Sequence, residues 1–119
     1  MPSGSRDLGL FLQDIADSAS WIVHWTAGLT REQFLEDRLT FDAVLRNLTI
    51  MGEAAKNIPA EYRDLHPEIA WRAAAGFRDI AMHSYFNLRA PMVWDIVANN
   101  VPGILTQILV LLGSPSGEG

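Results

Sequence analysis

Arg78, His83 and Tyr85 fall within one alanine-rich stretch, GFRDIAMHSYF at residues 76–86. A purely structural helix could bury alanine and isoleucine there without any of the three. Imidazole exchanges protons near neutrality, so His83 is suited to act as a general base or a general acid. The Arg78 guanidinium is a permanent cation with a fork of N–H donors, suited to a phosphate that gains charge in a transition state. A phenol keeps its proton at neutral pH, so Tyr85 offers a hydroxyl handle and not a base.

Spacing limits how these groups can cooperate. On a regular helix, residues five apart diverge by ~140°, so Arg78 and His83 of one chain do not converge on one substrate atom unless the helix is distorted or the site is shared. Two copies meeting at a two-fold axis along this helix would line one groove with both histidines, both arginines and both tyrosines. One histidine would then act as base and the other as acid. Those are the parts of a metal-free ribonuclease whose nucleophile is the ribose 2′-hydroxyl.

The surrounding elements read as helical throughout, with glycine and proline as punctuation and no strand-like alternation. A first helix is expected over about Asp7 to Trp25, with Leu8, Phe11, Leu12, Ile15, Ala19, Ile22 and Val23 as its apolar stripe and Gly28 beyond its end. Thr30 and Gln33 form a capping box for a short second helix, with Leu29 placed to staple onto Phe34. A third helix, about Thr40 to Ile58, carries Phe41, Val44, Leu45, Leu48, Met51, Ala55 and Ile58 on one face and Asp42, Arg46 and Glu53 on the other. Pro67 is placed to open a fourth helix running to about Phe86, with His66 as its N-cap. The fifth spans about Pro91 to Leu112, bent or broken at Asn99–Pro102.

The fold class expected is all-α: an antiparallel four- to five-helix up-and-down bundle that forms a homodimer. Residues 1–112 make one domain and 113–119 a frayed tail. On the fourth helix, Ile69, Ala73, Gly76, Phe77, Ile80 and Ser84 are expected to face the core. Trp71, Ala74, Ala75, Arg78, Met82 and Tyr85 form a second apolar face, which a partner copy would cover.

Composition bounds the function. Of 119 residues, 49% are apolar and 19% charged, which suits a globular chain. The net charge of −5 argues against a general nucleic-acid coating protein but leaves room for a locally basic site. There is no cysteine, consistent with a reducing cytoplasm, and the longest apolar run, residues 103–112, is too short for a membrane span. No His-x3-His or HExxH pairing occurs, so no metal site and no cofactor are expected. His24, beside Trp21 and Trp25, reads as a partly buried structural residue, and Trp71 and Trp94 as packing anchors. Glu53 and Arg46 read equally as a surface ion pair or as support for the site.

Arg78-x4-His83-x-Tyr85 resembles the signature of HepT-like toxins in the HEPN superfamily. Met51-Gly52-Glu53-Ala54-Ala55 is similar to the "GEA" helix of that group, with Trp71 and Val93-Trp94 also in place, and the likeness runs from about Arg6 to Leu112. It implies a homodimeric, metal-independent endoribonuclease toxin of a type II/VII-like toxin–antitoxin pair, with Arg78 and His83 as the catalytic residues in a dimer cleft. Asp79 stands where the family usually carries a polar residue, often asparagine; a carboxylate there would orient His83 but repel phosphate. Asp79, Glu53 and Arg46 would support the pair. Tyr85 would be modified to O-AMP-tyrosine by a cognate nucleotidyltransferase antitoxin. The other class open to this sequence is a non-catalytic helical homodimeric interaction module.

Overall fold

A 24-residue helix, α1 (Ser3–Thr26), opens the computed structural model, which describes residues 3–85 and 90–113. Its apolar stripe turns inward as the spacing predicts: Leu12, Ile15, Ala19 and Ile22 are buried and Leu8, Phe11 and Val23 pack at their edge. Gly28 follows in the left-handed region at φ +80, where a side chain would be strained, and lets the chain reverse. The capping box then forms: the Thr30 hydroxyl accepts from the Gln33 amide at 3.1 Å, and the Gln33 side chain accepts from the Thr30 amide at 2.9 Å. It starts α2 (Arg31–Glu36), which buries Phe34 against Phe41 and Trp94, each ring centroid 5.4 Å away.

The next helix, α3 (Arg38–Lys56), starts two residues before the expected point because Asp37 caps it. The Asp37 carboxylate accepts from the Thr40 amide at 3.1 Å and from its hydroxyl at 2.7 Å. All seven residues of the expected apolar stripe, Phe41 through Ile58, are buried. Fully burying side chains of this size contributes roughly 1.5–3 kcal/mol each.

Between α3 and the helix that carries the site lies an element the apolar period did not reveal, α4 (Ala60–Leu65). Helix α5 (Trp71–Tyr85) begins four residues later than Pro67, and His66 closes α4 instead of capping α5. The reason is where the His66 carbonyl goes. It accepts from the Ile69 amide at 3.2 Å and from the Trp71 indole N–H at 2.9 Å, so the chain turns at Pro67–Ala70 and the buried indole fixes the start of α5. The His66 ring sits 3.4 Å from the Glu68 carboxylate and 4.8 Å, centroid to centroid, from Tyr62. Burial first, and then the Glu68 charge, raise the Tyr62 phenol above its usual value.

The last apolar segment is two helices, α6 (Ala90–Asn99) and α7 (Val101–Leu112), bent by 44° at the expected break. No single helix among the described residues is long and apolar enough to cross a membrane. Helix α3 packs between α1 and α5, and α7 lies along α1. Among the described residues the architecture is an all-α bundle of four long or broken helices with two six-residue insertions, α2 and α4. The expected end of the fourth helix at Phe86 and all but Gly113 of the 113–119 tail lie outside the described residues.

The α3 cap makes stability depend on pH. Hydrogen bonds from Thr40, the hydroxyl more than the amide, hold the Asp37 carboxyl below its ordinary 3.8. A depressed native pKa means stabilisation that is whole above the unfolded value of about 3.9 and lost as pH falls through the native one. Asp37→Asn keeps an acceptor without the titration. Urea unfolding between about pH 2 and 5 is expected to show a shallower acid loss in the variant; superimposable profiles would contradict the assignment.

Candidate active site along the fifth helix

Helix α5 buries Trp71, Ala74, Phe77, Ala81 and Ser84, a regular three-four spacing that faces α3. This corrects the expected core stripe: Phe77 and Ser84 belong to it, but Ala73 is exposed and Gly76 and Ile80 are only half-buried. It also removes Trp71 and Ala74 from any surface a partner could touch. Both flanks of the helix are small and apolar, so periodicity could not choose between them; the close approach to α3 at Gly52 does.

The contact that sets the register is at Gly52. A methyl group there would lie 2.7 Å from the Arg78 backbone nitrogen, 2.9 Å from the Arg78 Cβ and 3.3 Å from the Ala75 carbonyl oxygen. Only glycine lets the two helices approach this closely, which explains a residue that costs a helix interior about 1 kcal/mol relative to alanine. The residue after it, Glu53, forms an ion pair with the Arg78 guanidinium. Both side chains are about half exposed, so the pair is worth no more than ~1 kcal/mol in stability. Its effect is positional: it holds the Arg78 cation over the α3–α5 seam. Glu53 is therefore the partner of Arg78, and not of Arg46 as the sequence had left open. Arg46 is exposed and makes no ion pair among the described residues.

His83, one and a half turns on, is exposed, and its Nδ1 lies 2.8 Å from the Asp79 carbonyl oxygen. A carbonyl only accepts, so Nδ1 carries the hydrogen and donates it. In the neutral ring Nε2 then holds the lone pair. Asp79 does orient His83, but through its backbone and not through the carboxylate the sequence suggested. Tyr85 and Met82 are 59% and 51% exposed, so both are reachable from outside the protomer. The three histidines are not brought together. His24 is exposed, contrary to expectation, and stands edge-on to Trp21 at 6.1 Å; His66 belongs to the α4–α5 turn.

With this geometry, the chain can be placed among known proteins. It matches the "Ribonuclease HepT-like" family over residues 15–111, the whole of the bundle from mid-α1 to α7. The chain belongs to the HepT-like ribonuclease family. It is 42% identical over 94 residues to the "Probable ribonuclease HepT" of Thermococcus cleftensis, covering 79% of this chain and 86% of that protein. It is 35% identical over 113 residues to "Putative RNase MJ0127" of Methanocaldococcus jannaschii, covering 95% and 93%. A "Putative RNase TTE0752" of Caldanaerobacter subterraneus is 30% identical over 102 residues, covering 86% and 91%. No solved structure matches the chain significantly. As a HepT-like ribonuclease the protein is an RNA-cleaving enzyme.

Sequence reasoning named Arg78, His83 and Tyr85 but missed how Gly52 and Glu53 hold the first of them. The available signal was an isolated glycine inside a strongly periodic helix, which commonly marks a close helix–helix approach. Gly52→Ala is expected to lower unfolding free energy by about 1–3 kcal/mol, the usual range for overpacking. Urea denaturation reads this directly, and an alanine variant as stable as the parent would show that the helices are not locked at this point.

Proposed function

We propose that the protein is a metal-independent endoribonuclease toxin that works as a homodimer, with Arg78 and His83 of the two copies lining one cleft. The observation that carries this reading is the His83 ring, pinned through Nδ1–H on the Asp79 carbonyl and left with its Nε2 lone pair outward, in a chain of the HepT-like ribonuclease family. On this reading, Nε2 of one His83 takes the proton from a ribose 2′-hydroxyl. The oxygen attacks the adjoining phosphorus, and the imidazolium of the partner copy protonates the departing 5′-oxygen. The products are a 2′,3′-cyclic phosphate and a 5′-hydroxyl. Arg78 binds the non-bridging oxygens as negative charge collects on them. Ala75, Arg78, Met82 and Tyr85 border the cleft, and Glu53 keeps Arg78 from swinging into solvent.

Regulation follows from Tyr85. Its exposure supports modification by a cognate nucleotidyltransferase antitoxin, which would form a bond from the phenol oxygen to the α-phosphorus of ATP and release pyrophosphate. The added phosphodiester and purine would occupy the mouth of the cleft, where substrate phosphate binds. The non-catalytic interaction module that the net charge of −5 left open has against it the match to the ribonuclease family.

Purified protein is expected to cut RNA in the presence of chelators and to leave oligonucleotides with a 2′-deoxy cleavage position intact. His83→Ala and Arg78→Ala are each expected to reduce cleavage ~100-fold or more while the protein stays folded and dimeric by light scattering. Chelator-sensitive cleavage, full activity in His83→Ala, or no cleavage by the parent would refute the mechanism.

Coexpression with the neighbouring nucleotidyltransferase is expected to add one AMP mass to the Tyr85 peptide and to silence cleavage. Tyr85→Phe silenced just as fully by a partner that acts only through transfer chemistry would remove Tyr85 from this scheme.

A further inference from the structure

Beside Tyr85, the seam between α3 and α5 opens into a pocket of about 300 Å³, a volume at the small end of ligand sites. Leu45 and Ala81 are its buried walls, and the half-exposed Met82 closes one side. The Thr49 hydroxyl donates to the Leu45 carbonyl at 2.9 Å, so its hydrogen is turned away from the opening. The mouth is charged. Asp42 is matched on its own helix by Arg38, Nε to carboxylate at 3.2 Å, and Arg46 is a cation at the rim that makes no ion pair among the described residues. A small apolar pocket with the Arg46 guanidinium and the Tyr85 phenol ring at its mouth fits a particular chemistry: an aromatic heterocycle that carries an anion.

We propose that this pocket is a nucleobase subsite, which seats one base of the RNA substrate between Leu45, Ala81 and Met82 with its phosphate at Arg46. The proposal rests on the ribonuclease reading above and adds to it a determinant of which base lies at the cleavage point. Arg78, Met82 and Tyr85 fall within ~60° of one another on one flank of α5, so a base held between Met82 and Tyr85 belongs to a nucleotide next to the phosphate that Arg78 binds. The Tyr85 ring supplies a π-face, and base–aromatic stacking is a sequence-tolerant source of affinity. Discrimination between bases then falls to the size of the slot and to the Asp42 carboxylate, which accepts from an exocyclic amine or a ring N–H.

Direct binding tests the subsite without relying on turnover. The full ¹⁵N-labelled chain carrying His83→Ala is titrated with the four nucleoside 3′-monophosphates and with the four nucleosides, and amide shifts are followed. Saturable shifts are expected at Leu45, Thr49 and Ala81, with at least one nucleotide bound about tenfold more tightly than its nucleoside. Arg46→Ala, at an exposed position, is expected to abolish that preference for the phosphate. Thr49→Trp, which fills the slot from the α3 side, is expected to weaken nucleotide and nucleoside alike by about tenfold. In the chain with His83 intact, both variants are expected to raise KM for RNA more than they lower kcat, and Thr49→Trp to change the base preferred at the cleavage point. Absence of shifts at these amides, or undiminished binding by a folded Thr49→Trp protein, overturns the subsite. Should the tryptophan variant not fold, Arg46→Ala decides: an unchanged nucleotide-to-nucleoside ratio overturns it. Nucleotide binding without RNA cleavage by the parent would leave the subsite and remove the ribonuclease mechanism; RNA cleavage without nucleotide binding would do the reverse.

Discussion

Everything at the candidate site hangs on how closely α5 approaches α3 at Gly52. With no side chain at that position, the Arg78 backbone nitrogen sits where a methyl group would otherwise lie. Two consequences follow from geometry alone. Glu53, the next residue on α3, is brought onto the Arg78 guanidinium, and one to two turns along the same seam Leu45 and Ala81 wall the pocket. The glycine is therefore less a flexible point than a spacer of zero thickness. Its cost in helix propensity is offset by the burial of the α3 and α5 stripes against each other.

The candidate site also shows how backbone can position an imidazole without a dedicated side chain. His83 is held by the carbonyl one turn before it on the same helix. That bond fixes the tautomer, and the tautomer decides which nitrogen meets substrate. The side chain at position 79 is thereby released from the task of orienting the ring. This accommodates an aspartate at a place where the resemblance to HepT-like toxins leads one to expect a neutral polar residue, although its charge still stands close to where phosphate would arrive.

Much of the fold was legible in the sequence because its helices obey local rules. The α1 and α3 stripes, the Thr30–Gln33 box and the break before Pro102 are all set by neighbours within a few residues, and each forms as read. What failed was set at longer range. The start of α5 depends on an indole reaching back to the His66 carbonyl, and the choice of its buried face depends on Gly52 of another helix; neither is encoded in the period of α5 itself. Asp37 was passed over as the cap of α3 because the apolar pattern begins later than the helix does. At the site, residue types were readable and pairings were not: Arg78, His83 and Tyr85 stood out by chemistry, while the partnership of Arg78 with Glu53 needed the crossing of two helices to become visible.

The orientation of one imidazole links the helix geometry to the chemistry, and it can be observed without substrate. A long-range ¹H–¹⁵N correlation spectrum of the His83 ring, recorded with the ring neutral, distinguishes its two tautomers. The geometry requires Nδ1 to carry the proton and Nε2 to show the shift of an unprotonated nitrogen. A spectrum with the proton on Nε2 would mean that the bond to the Asp79 carbonyl does not form in solution, and the role assigned to His83 as an outward-facing base would fall with it.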